Sequence, residues 1–129
     1  MLRRLGWRLL LVTVLSLSAV NLVLAQGASK YDGKYVGALT LKGIISGDCT
    51  PPPVGSEYPL TIAGGVVRFK YVARFDTTLV GAIDDKGNFK ASARTKTGVI
   101  NMVGHFVAYG RLTANIQSPS CMYSFDASN

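Results

Sequence analysis

The sequence is poor in the side chains that most often carry chemistry. Its 129 residues include one histidine, His105, one tryptophan, Trp7, and two cysteines, Cys49 and Cys121. No Cys-x-x-Cys pair is present, so the signature of a thiol-disulfide catalyst is missing. A metal site would have to combine His105 with scattered carboxylates, and Asp84 and Asp85 fall in a turn segment whose demand for polar residues already accounts for them. There is neither a phosphate-cradling glycine loop nor a nucleophile elbow. No catalytic, cofactor-binding or metal-ligating residue is assigned on these grounds, and a non-enzymatic protein is expected.

The chain starts with a targeting pattern. Arg3, Arg4 and Arg8 precede an apolar run over residues 9–24, broken only by Thr13, Ser16, Ser18 and Asn21, and Val23-Leu24-Ala25 then leads to Gln26. This is the three-part layout of a secretory signal peptide covering 1–25, with cleavage after Ala25 and delivery to the periplasm or the medium. The alternative is an uncleaved anchor, since about 17 apolar residues just span a bilayer; only then would the chain be held at a membrane. No cysteine follows the run, so a lipid-modified N-terminus is not expected. Cleavage leaves 104 of the 129 residues, enough for one domain with a single core. It also removes 3 of the 14 basic side chains, leaving 11 against 7 acids and a net charge of +4 in place of +7. That is a mild attraction to anionic surfaces, and no nucleic-acid partner is expected from it. Export into an oxidising compartment makes a Cys49–Cys121 disulfide the default. Closing a loop of about 73 residues would stabilise the fold by roughly 4 kcal/mol on the chain-entropy account.

Beyond a short polar lead-in at 26–30, expected to be flexible, residues 31–129 show the period-two alternation of half-buried strands and no useful helical periodicity. Strands are predicted over 31–45, 58–63, 66–73, 79–83, 89–93, 102–106, 112–116 and from 121 onward. Gly64-Gly65 is a strong hairpin turn. The hairpins at 79–93 and 102–116 repeat one pattern, with a Val-Gly pair followed by Ile83 in one copy and Phe106 in the other. Tight turns between successive strands imply an all-β antiparallel meander of about eight strands, closed or nearly closed into a barrel. Gly37, Gly81 and Gly104, each inside a strand, mark bends, bulges or close aromatic packing.

Three groups of residues could carry function. The predicted inner face mixes large residues with Gly37, Gly81, Ala91, Ala93, Gly104 and Ala114. Either the small residues make room for neighbouring rings, or they leave a pocket for a small apolar ligand lined by Tyr35, Phe69, Tyr71, Phe89, Phe106 and Tyr123. The loop from Cys49 to Glu57 contains Pro51, Pro52 and Pro53, stiff enough to serve as a connector or as a preorganised loop for a protein partner, such as the target of a periplasmic inhibitor. Arg68, Lys70, Lys90, Arg94 and Lys96 fall on predicted outer faces, where they either form an anionic-partner patch or keep strand surfaces soluble. His105 is expected to point outward, opposite Met102, Gly104 and Phe106. None of these features sets an oligomeric state.

The segment Tyr31-Asp32-Gly33-Lys34-Tyr35-Val36-Gly37, the Asp-Lys-Gly-Asn turn and the closing Cys121-Met122-Tyr123-Ser124-Phe125 resemble the pattern of small exported bacterial β-barrel proteins. The architecture is distantly similar to that of lipocalins and avidins. The lipocalin Gly-x-Trp is missing, Trp7 being in the signal segment, and no biotin-site residue carries over. The resemblance implies the barrel and leaves the ligand open.

Overall fold

A computed structural model describes residues 28–71 and 77–129. The expected signal segment therefore lies outside the described residues, as do the end of the third predicted strand and the turn after it. Eight strands follow one another: β1 (Gly33–Ile44), β2 (Tyr58–Ala63), β3 (Val66–Tyr71), β4 (Thr77–Ile83), β5 (Asn88–Thr95), β6 (Gly98–Ala108), β7 (Arg111–Gln117) and β8 (Cys121–Ser128). Each pairs antiparallel with the next, and β8 returns to β1, closing an eight-stranded meander barrel. Among the described residues there is no helix.

Alternation sets which side chains fill the barrel. Along β2 and β3, Tyr58, Leu60, Ile62, Val67, Phe69 and Tyr71 are buried while the residues between them are exposed or half-buried. The same rule places Leu79, Phe89, Met102, Leu112, Ile116 and Phe125 in the core, all fully buried. Phe69 and Phe125 meet at mid-barrel with ring centroids 4.8 Å apart. Outside, Lys34, Lys42, Arg68, Lys70 and Lys90 are exposed. Exposed apolar side chains, among them Val80, Val99, Val103 and Met122, are interspersed with these charges.

Two kinds of glycine shape the closure. Gly64 and Gly65 have φ of 59° and 75°, the left-handed pair that a two-residue hairpin turn requires. Gly37, Gly81 and Gly104 instead leave space. A Cβ on Gly37 would strike the Asp126 carbonyl, one on Gly81 the Lys90 carbonyl, and one on Gly104 the Phe89 ring and, at 2.7 Å, the Cβ of Ala114. Register shifts that mark bulges occur elsewhere, at Leu41/Gly43 between β1 and β8 and at Phe106/Ala108 between β6 and β7. The predicted first strand begins two residues late, because Tyr31 and Asp32 are drawn into a turn with the Asp32 amide donating to the Ser29 carbonyl at 3.1 Å.

Candidate functional site

The two ends of the barrel differ. At one end, three short turns (64–65, 84–87 and 109–110) and the residues leading into β1 form a seal. Asp32 accepts hydrogen bonds from both turn amides of the β2–β3 hairpin, Gly64 at 2.8 Å and Gly65 at 3.1 Å. Tyr31 stacks on Phe106 at 4.7 Å, and Tyr35 and Phe89 meet the same ring edge-on at 5.2 and 6.5 Å. The Tyr35 hydroxyl donates to the Tyr31 carbonyl at 2.6 Å, and burial, with Tyr109 and Asp32 nearby, pushes its phenol above the ordinary tyrosine range. In the β4–β5 turn the Asn88 amide, and less strongly the Lys86 amide, donate to Asp84 Oδ1, each at 2.9 Å, and hold its carboxyl below the ordinary range.

At the other end the described residues leave a cavity, and two ladders stop short there. The β1–β2 ladder stops at Gly37↔Tyr58, where β2 begins, while β1 continues to Ile44. Across the barrel the β4–β5 ladder stops at Val80↔Ser92, although β5 runs on to Thr95. At this end β1 therefore extends beyond the start of β2, and the first residues of β4 lie outside the β4–β5 ladder. The cavity measures about 1140 Å³. Its bed consists of Leu39, Tyr58, Tyr71, Ile100 and Tyr123, and its rim includes Arg94, Lys96, Pro119 and the prolines at 51–53.

The rim is covalently fixed. Cys49 and Cys121 form a disulfide with their Cα atoms 5.9 Å apart, and both line the cavity. It ties the β1–β2 loop to the start of β8, as the compartment argument predicted. The Tyr123 hydroxyl donates to the Thr50 carbonyl at 3.2 Å, and Ser56 closes the far side of the proline run through its amide and hydroxyl to the Pro53 carbonyl at 3.1 and 2.6 Å. Val54 at the loop's tip is fully exposed.

Three tyrosines converge on the cavity bed. The Tyr71 and Tyr123 rings meet edge-to-face at 6.1 Å, and Tyr58 receives the Ser56 hydroxyl at 3.4 Å. Burial, reinforced by Tyr123 through charge and a side-chain hydrogen bond and then by Tyr58, raises the Tyr71 phenol far above the ordinary tyrosine value.

The six aromatics predicted to line one pocket divide into three groups. Tyr71 and Tyr123 line the open cavity, Phe69 is fully buried at mid-barrel, and Tyr35, Phe89 and Phe106 belong to the sealed end. The prolines at 51, 52 and 53 stand at the rim. His105 points outward, with Asn88 and Thr113 as its cross-strand neighbours. Alternation alone missed Tyr58, Ile100 and the placement of Arg94 and Lys96 at the cavity. A tyrosine opening β2 just beyond the proline loop was the one signal that could have pointed to this end. A second depression of about 520 Å³ lies over Val80, Lys90, Ser92 and Val103 and has no aromatic lining. Comparison with protein-family models, with curated proteins and with solved structures finds no match.

Proposed function

We propose that this protein is an exported, non-enzymatic binding protein that holds a small, largely apolar molecule in the cup at its disulfide end. The observation that carries this reading is the cavity itself: about 1140 Å³, bedded on tyrosines and aliphatic side chains, with a rim pinned by a disulfide. Apolar walls with a few convergent polar groups are the usual make-up of a small-molecule site. A prefixed rim also lowers the ordering cost of binding. Delivery through a signal peptide cleaved after Ala25 is part of the proposal, supported by the N-terminal pattern and by a disulfide suited to an oxidising compartment.

The test is backbone amide chemical-shift mapping with naphthalenemethanol, a neutral apolar probe. Shifts should gather on Leu39, Tyr58, Tyr71, Ile100 and Tyr123. Saturating probe with no shifts at those positions would remove the small-molecule reading.

A second reading draws on the fully exposed Val54 and the hydrogen-bonded proline loop beneath it: a periplasmic inhibitor or interaction module that offers this loop to a protein. Replacing Pro51, Pro52 and Pro53 with Gly and Ser should then weaken capture of the partner while leaving the barrel folded. Equal capture by the altered loop would count against it.

A further inference from the structure

The cavity's own chemistry narrows what it takes. We infer that its occupant is a compact, ring-bearing carboxylate whose ring lies on Tyr71 and Tyr123 and whose anionic group is met by Arg94 and Lys96. This rests on the reading of the open end as a small-molecule site.

Depth argues for compactness. Two residues further in along their strands from Tyr58, Tyr71 and Tyr123 stand Leu60, Phe69 and Phe125, all fully buried. The tyrosines therefore form a floor, and an occupant that reached past them would have to displace fully buried side chains. The floor also argues for a ring. Tyr71 and Tyr123 already meet edge-to-face, and aromatic groups favour adding a further ring to such a pair in offset or perpendicular geometry. Prolines 51–53 and Pro119 add flat, rigid apolar faces around it.

Charge argues for the anion. Among the described residues the lining has two cations, Arg94 and Lys96, against one acid, Asp48. Among the described residues neither cation has an ion-pair partner. Arg94, exposed near the end of β5, and Lys96, in the turn that follows, both line the cavity. Guanidinium presents a planar fork of donors that matches a carboxylate.

Isothermal titration of the disulfide-bonded protein with naphthoate, naphthalenemethanol and laurate tests each part. Naphthoate is expected to bind about ten-fold tighter than naphthalenemethanol at low salt, with the preference shrinking as salt is added. It should vanish in the Arg94→Gln/Lys96→Gln double variant, whose affinity for the alcohol stays at the parent value. Laurate should bind more weakly than naphthoate. Equal affinity for acid and alcohol overturns the carboxylate assignment while leaving the apolar site standing. Laurate binding tighter than naphthoate overturns the compact ring. A preference that survives in the double variant overturns the role of Arg94 and Lys96, and heat-silent titrations with all three probes overturn the site itself.

Discussion

Substituting Gly81 by alanine isolates the steric logic of barrel closure. The new Cβ would meet the carbonyl of Lys90 and, at 2.7 Å, Cα of Ala91, all backbone atoms of the paired strand, with no flexible side chain to move aside. Inserting a methyl into packed space ordinarily costs about 1 to 3 kcal/mol. Relief here would require parting the ladder around Gly81↔Ala91, and each hydrogen bond lost adds about 1 kcal/mol. A loss of about 3 kcal/mol or more is expected, which for a domain of this size lowers Tm by roughly 12 to 24 °C. Gly43 is the internal control: its nearest neighbour to an added Cβ is the Met122 sulfur at 3.7 Å, ordinary contact distance. Gly43→Ala should be neutral or stabilising by up to about 1 kcal/mol, because glycine inside a strand carries an entropic penalty. Urea denaturation of the two variants beside the parent measures both. Equal destabilisation would refute the claim that Gly81 is set by backbone approach and not by strand propensity.

Other expectations follow from single contacts. Cys49→Ser/Cys121→Ser should lose roughly 4 kcal/mol in denaturant titration, the value expected from cross-linking about 73 residues. Tyr31→Ala removes the ring stacked on Phe106 at 4.7 Å and should cost about 0.5 to 1.5 kcal/mol beyond its buried area, again read by denaturation. Asp84 has a folded-state pKa below its unfolded value, so its contribution is present above the ordinary carboxylate range and is lost as pH falls through the folded pKa. Asp84→Ala should accordingly flatten part of the acid-side decline of stability measured between neutral and strongly acidic pH. For Tyr71 the pKa is raised, so the neutral phenol's stability is complete below the ordinary tyrosine pKa and is lost as pH rises past it. Absorbance titration should show a tyrosine that ionises late and is missing from Tyr71→Phe.

What the sequence made legible was local. Alternation placed Leu60, Phe69, Met102 and Phe125 inside, because a strand's period of two assigns every side chain once one face is known. Gly64-Gly65 announced its hairpin and Gly104 the close aromatic packing it makes with Phe89, whereas Gly37 and Gly81 lie against backbone carbonyls of the paired strand, which the pattern did not foresee. The site was harder to see, since it depends on where ladders stop. Nothing in the residues near Val80 and Ser92 says that pairing ends there, so the pattern placed Arg94 on an outer face, where it is exposed, without showing that it also lines the cavity. The six aromatics share one face in pattern, but the barrel's length spreads them from seal to mouth. Asp32 reaches turn amides at Gly64 and Gly65, a pairing that sequence spacing does not reveal.

Native mass spectrometry of the protein purified from the organism that produces it tests the central claim most directly, since it reports processing, the disulfide and any retained molecule together. The expected species is a chain beginning at Gln26, with Cys49 and Cys121 oxidised, carrying one small organic acid that Tyr71→Ala releases. A chain with its disulfide intact that carries no small molecule and takes up neither naphthoate nor naphthalenemethanol would contradict the account.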